Sequence, residues 1–177
     1  MKKLRIMAWS TCALLAVHGI AHAQQATETA KTRAPVEITP YVLLGSGNAN
    51  GVGAAVRWEV APKLGVELET DARKADITAL AMALSLVYDL PAIGRVVPYA
   101  AAGVGFEQYV TAYYHPTLGV LPKTGTALTV NAGGGLRIPI DDRWGVRSDA
   151  RWINGLGGEA PEHWRIYQGA TFGVGKR

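Results

Sequence analysis

From Val36 onward the chain alternates apolar and polar residues with period two, in runs of about ten residues. In 51–60, Val52, Ala54, Val56, Trp58 and Val60 alternate with Gly53, Ala55, Arg57 and Glu59. Leu64, Val66, Leu68 and Thr70 alternate with Gly65, Glu67, Glu69 and Asp71, and Trp144, Val146, Ser148, Ala150 and Trp152 with Gly145, Arg147, Asp149 and Arg151. A strand sends successive side chains to opposite faces, so each segment meets an apolar medium on one side and a polar one on the other. Eight such segments are predicted, at 36–45, 51–60, 64–73, 77–88, 95–109, 123–139, 143–153 and 165–175. Short connections at 61–63, 89–94 and 140–142 alternate with longer Gly- and Pro-bearing ones at 110–122 and 154–164. The expected fold is all-β, an eight-stranded antiparallel up-and-down barrel with both termini at the short-turn rim. Segment 77–86 fits least, because its Ala, Leu and Met favour helix. Asp89 and Pro91 stop it too soon for a membrane-spanning helix, and it is assigned as a strand with small inward residues.

Two barrels satisfy this pattern, and their interiors are opposite. A water-soluble lipocalin-type barrel points its apolar face inward, whereas a membrane barrel gives that face to lipid. The aromatics separate the two. On the apolar parity Trp58, Tyr88, Trp144 and Phe172 fall beside the short-turn rim, and Phe106, Trp152 and Trp164 beside the other, with aliphatic residues between. Two girdles flanking an aliphatic band belong at two lipid–water interfaces. The N-terminus agrees. Lys2, Lys3 and Arg5 precede an apolar run over 7–20 and the small-x-small site Ala21-His22-Ala23, the pattern of a cleaved export signal over 1–23. A polar lead-in at 24–35 and a barrel domain at 36–177 complete the expected organisation. Bacterial outer membrane is the expected location, with membrane lipid and lipopolysaccharide around the barrel. The formal charge of +4 contains three signal cations, leaving fifteen Lys and Arg against fourteen Asp and Glu, so no nucleic-acid partner is implied. The only cysteine, Cys12, lies in the signal, so no disulfide is expected in the barrel.

The inward parity gathers Arg57, Glu59, Glu67, Glu69, Asp71, Glu107, Arg137, Arg147, Asp149 and Arg151. An eight-stranded barrel has room inside only for side chains, and charges confined there must pair. An internal salt-bridge network is the leading reading, with a narrow ion path as the alternative. The run Glu67, Glu69 and Asp71 could hold a cation, but the neighbouring arginines compete for it, and neither metal nor cofactor is expected. A three-residue turn, Ala61-Pro62-Lys63, would pair Val60 with Leu64 and therefore Arg57 with Glu67, predicting a cross-strand salt bridge. Gly45-Ser46-Gly47 and Gly133-Gly134-Gly135 lack the strand-to-helix context of a phosphate loop and mark strand kinks. Tyr109, Tyr113, Tyr114 and His115, with 159–164, are expected in external loops that could meet a surface ligand or rest at the headgroups.

Several stretches carry a family resemblance. Pro98-Tyr99-Ala100-Ala101-Ala102-Gly103-Val104-Gly105 resembles the fifth strand of the OmpA-like and opacity-type outer-membrane barrels. Arg147-Ser148-Asp149-Ala150-Arg151-Trp152, preceded by the Gly-rich run 133–137, resembles their seventh strand, and Tyr167-Gln168-Gly169-Ala170-Thr171-Phe172-Gly173 their closing one. The resemblance implies insertion by the barrel-assembly machinery, although family members carry a terminal aromatic where this chain has Gly175-Lys176-Arg177. It specifies fold far better than function. Lipid A deacylase barrels carry His-x-Ser on the strand matching 147–152. Here Val146 stands where that histidine would be. Three functions follow in order: a non-enzymatic envelope barrel that is structural or presents loops for adhesion, a small porin-like channel, and remotely a lipid A-modifying enzyme.

Overall fold

The computed structural model describes residues 35–45, 50–74, 78–115, 119–157 and 162–174; the expected export signal and nearly all of the lead-in lie outside them. Eight strands follow in order: β1 Val36–Gly45, β2 Asn50–Ala61, β3 Leu64–Lys74, β4 Thr78–Asp89, β5 Val97–His115, β6 Gly119–Pro139, β7 Trp144–Leu156 and β8 His163–Val174. Each pairs antiparallel with the next, and β1 pairs with β8 from Val36↔Val174 to Gly45↔Arg165, closing the barrel. Closure leaves no sheet edge along the barrel wall, the condition for crossing a bilayer with strands. Among the described residues there is no helix.

The two faces sort as the alternation requires. Val52, Trp58, Leu68, Val104, Val146 and Phe172 are exposed on the outside and Val56 is half-buried, whereas Arg57 and Glu67 are buried inside. Strand β4 settles the ambiguous segment. Leu80, Met82, Leu84, Leu86 and Tyr88 point outward, while Ala79, Ala81, Ala83, Ser85 and Val87 are buried. Ladders to β3 and β5 along its length override its helix propensity. Its small inward residues leave room for larger side chains from the opposite wall.

Three connections differ from expectation. The β2–β3 turn has two residues, Pro62 and Lys63, with Ala61 paired to Leu64 and Lys63 at φ 68°. A bulge between Glu59 and Ala61 absorbs the odd residue, Val60, and restores Arg57↔Glu67. The register is thus the one predicted, reached by a different route. The expected long loop at 110–122 is mostly strand: β5 and β6 stay paired from Val97↔Arg137 to His115↔Gly119. The β4 ladder ends at Val110 and the β7 ladder begins at Leu128, so beyond these points β5 and β6 form a two-stranded ribbon. Pro122 suggests a loop by its residue type, but on a ribbon its missing N–H can face away from the partner strand. The last connection is also shorter than expected, since β7 extends to Leu156 and β8 starts at His163.

The β6–β7 turn is held by one side chain. Asp141 Oδ1 accepts hydrogen bonds from the backbone N–H groups of Arg143 at 2.7 Å and Trp144 at 2.9 Å. These bonds favour the carboxylate and hold its pKa below the usual aspartate range. A lowered folded-state pKa gives a contribution that is present above the unfolded pKa and fades as pH falls through the folded one. Asp141→Ala should therefore lower the urea midpoint of the micelle-bound barrel at neutral pH. The difference from the parent should close once the pH is well below the carboxylate range, as read by tryptophan fluorescence.

Candidate functional site

The odd-numbered positions of the strands meet inside the barrel, where seven carboxylates and six guanidinium groups are buried among the described residues. The carboxylates are Glu37, Glu67, Glu69, Asp71, Asp89, Glu107 and Asp149; the cations are Arg57, Arg73, Arg137, Arg147, Arg151 and Arg165. Near the loop rim Arg73 bonds Asp71 at 3.0 Å and Glu107 at 2.8 Å. Arg165 bridges Asp71 at 2.7 Å and Glu69 at 2.6 Å. Arg151, fully buried, reaches Glu69 at 2.9 Å, Glu67 at 2.7 Å and Asp149 at 3.0 Å, and donates to Ser85 Oγ on the small-residue wall of β4. Arg147 grips both oxygens of Glu67 and also bonds Asp149. These bonds run across the lumen, tying β7 and β8 to β3.

A second cluster lies toward the termini. Arg57 binds Asp89 with two parallel bonds at 3.1 and 3.0 Å, and Arg137 bridges Asp89 to Glu37. The ring of Tyr99 stands between the clusters, with the Arg147 guanidinium 4.7 Å and the Arg137 guanidinium 5.3 Å from its centroid. Its hydroxyl accepts from Arg147 Nε at 2.6 Å and donates to Asp149 at 2.6 Å. Tyr41 and Tyr167 stack at 4.2 Å, and the Tyr167 hydroxyl donates to Glu69.

Nine of the ten charges assigned to the inward face lie in this interior. Glu59 does not: it shares their parity but sits beside the bulge at the rim, where it is exposed to solvent. The predicted Arg57–Glu67 bridge is also corrected. Their backbones are partners, yet Arg57 crosses the space left by Gly65, whose Cβ would strike the guanidinium, and pairs with Asp89. Glu67 is occupied by Arg147 and Arg151. Sequence reasoning missed Glu37, Arg73, Asp89 and Arg165, all at strand ends, and the inward tyrosines; extending the same parity to the last residue of each strand would have found them. His163, expected in a loop, opens β8, with its Nε2 2.6 Å from Arg73 and 3.8 Å from Glu107.

Outside, Trp58, Tyr88, Phe106, Trp144, Trp164 and Phe172 are exposed and Trp152 is half-buried. Trp144 pairs with Phe172 and Trp152 with Trp164. Ser148 lies on this outer face and is bonded by Gln168 Nε2 at 3.2 Å. Tyr109, expected in a loop, is in strand β5.

Removing one partner of a buried ion pair strands the other, which typically costs about 3–5 kcal/mol. Arg147→Ala should destabilise the barrel by that order and so lower its thermal and urea midpoints, because Glu67 and Asp149 lose a shared cation. Arg147→Lys should recover only part of it, since an ammonium cannot form the two-pronged bond to Glu67. Unfolding followed by the heat-dependent shift in gel mobility checks both.

The geometry agrees with comparison to known proteins. Residues 10–175 match the family of the outer membrane protein beta-barrel domain. No curated protein matches the sequence. Among solved structures, the N-terminal barrel domain of OprF from Pseudomonas aeruginosa superposes with a TM-score of 0.64 at 15% identity, covering 79% of this chain and 97% of that one. A major outer membrane protein from Thermus thermophilus gives 0.63 at 14% identity, covering 77% and 98%. Neisserial surface protein A gives 0.59 at 11% identity, covering 78% and 94%. At such identities the likeness concerns the fold. Closed eight-stranded topology, an apolar exterior around a charged interior and the family match together place this chain in the outer membrane protein β-barrel domain family, as a small barrel of the OmpA-like and opacity type in the bacterial outer membrane.

Proposed function

We propose that this protein is a non-enzymatic barrel whose lumen is closed to ions and which serves the envelope structurally and by presenting its loop rim for surface contacts. One observation carries the reading: guanidinium–carboxylate bonds succeed one another inside the barrel, from Arg73 and Glu107 at one end to Glu37 at the other. An ion entering this path would have to replace bonds that already satisfy buried charges, in a space too narrow to hydrate them separately. The β5–β6 ribbon supplies the surface a partner would meet. Trp58, Tyr88, Trp144 and Phe172 form the girdle near the termini and Phe106, Trp152 and Trp164 the outer one, with lipid and lipopolysaccharide packed between. The barrel-assembly machinery inserts the chain.

Planar-bilayer recording tests the closed lumen. The purified barrel should give no steady conductance where a porin of known activity does; stable channels would instead establish the channel reading. The girdles have a separate test. Lipids brominated near the headgroup should quench the tryptophan fluorescence more strongly than lipids brominated near the bilayer centre.

A further inference from the structure

The outer face carries an irregularity that the closed-lumen reading leaves unexplained. Gln168 and Ser148 both point into the lipid-facing belt. Gln168 lies four residues from Trp164 and four from Phe172, and Ser148 four from Trp144 and four from Trp152. With a tilted strand rising ~3.3 Å per residue, four residues put the pair ~10 Å inside each girdle, near the middle of the hydrocarbon. Gln168 is exposed there, and one of its N–H groups donates to Ser148 Oγ. Among the described residues nothing bonds its other N–H or its carbonyl oxygen. Acyl chains at this depth carry no hydrogen-bonding group, so surrounding lipid leaves both unsatisfied.

Beside the carboxamide the outer wall is hollowed. A shallow groove of about 580 Å³ runs between β7, β8, β1 and β2, lined by Pro40, Val42, Val52, Val146 and Ala170, with Gln168 at its side. Gln168 pairs directly with Val42 across the β8–β1 seam. The opposite wall, with Leu80, Leu84 and Leu86 of β4, is aliphatic at the comparable level.

We infer that this face is the contact between two copies of the chain in the membrane, with the Gln168 carboxamides paired across a two-fold axis. A carboxamide is self-complementary: the N–H of each donates to the carbonyl oxygen of the other. A two-fold contact brings the same residue of both copies together, so one glutamine per chain satisfies both. Pro40 and Ala170 let the walls approach closely, as small residues do where membrane segments pack without a hydrophobic driving force. The depth assignment rests on the aromatic girdles proposed above. Their failure would appear in the bromolipid measurement, and failure of the dimer in the following one.

The experiment uses the full chain, exported to the outer membrane, with Cys12→Ser removing the only cysteine. Single cysteines are introduced as Ala170→Cys beside the groove and, as a control, Leu84→Cys on the opposite wall. Oxidation in intact membranes should give a disulfide-linked homodimer from Ala170→Cys and little from Leu84→Cys. Adding Gln168→Leu should lower the cross-linked fraction roughly tenfold, the scale of a hydrogen-bonded polar contact in a bilayer. Val42→Trp, which fills the groove, should lower it comparably. Both replacements are apolar on a lipid-facing surface, and retention of heat-modifiable mobility verifies the barrel. Equal cross-linking at the two positions, or none at Ala170→Cys, would overturn the dimer. So would cross-linking mainly to a different protein. Cross-linking that persists unchanged with Gln168→Leu would overturn the carboxamide pair as its basis.

Discussion

A guanidinium group cannot be enclosed by eight strands unless carboxylates are enclosed with it. The rest of this barrel is arranged around that requirement. Buried ion pairs are not intrinsically favourable relative to well-packed apolar groups, so their presence is weak support for great stability. What they provide is a strong penalty for every wrong arrangement. A one-residue slip of β7 would send Arg147, Asp149 and Arg151 into lipid and bring Ser148 and Ala150 inside. Glu67 would then lose both Arg147 and Arg151, and Glu69 would lose Arg151. Register on β3, β7 and β8 is therefore fixed by bonds across the lumen as well as by the ladders between neighbours.

The charged interior also explains where the chain is small. Arginine side chains crossing a narrow space need counterparts that yield volume. Ala81, Ala83 and Ser85 on β4 supply it opposite Arg151, and Gly65 supplies it beneath Arg57. At Gly135 any Cβ would run into the Ser148 carbonyl and the Tyr99 hydroxyl, which positions Arg147 and Asp149. Part of the glycine and alanine content thus belongs to the electrostatics of the lumen.

How much of this was legible in the sequence differs by level. Parity fixes faces, because the side-chain period of a strand is two whatever its neighbours are. That is why the order of eight strands, the outward set and most of the inward charges could be read from residues alone. Strand ends were legible only in part. Thr111 to His115 continue β5 beyond the barrel wall, and Pro122 in β6 looked like a loop residue. Pair identity was not legible. Arg57 and Glu67 share a rung, yet the longer reach to Asp89 wins, because a buried charge answers to the whole cavity and not to its ladder partner. The inward tyrosines carried no strong signal, since aromatic side chains were weighed only on the apolar parity.

The position of Tyr99 between the two charge clusters has a consequence for how such a lumen could ever open. The Arg147 and Arg137 guanidinium groups meet across this one ring, while each is bonded to carboxylates of its own cluster. Arg137 and Arg147 are also partners on one rung of the β6–β7 ladder, so the two clusters are joined through the wall as well as through the ring. Groups that touch a shared partner are energetically coupled, so a change in one cluster is felt in the other. If the lumen is closed as proposed, it would open as a unit, with release at one level favouring release at the other.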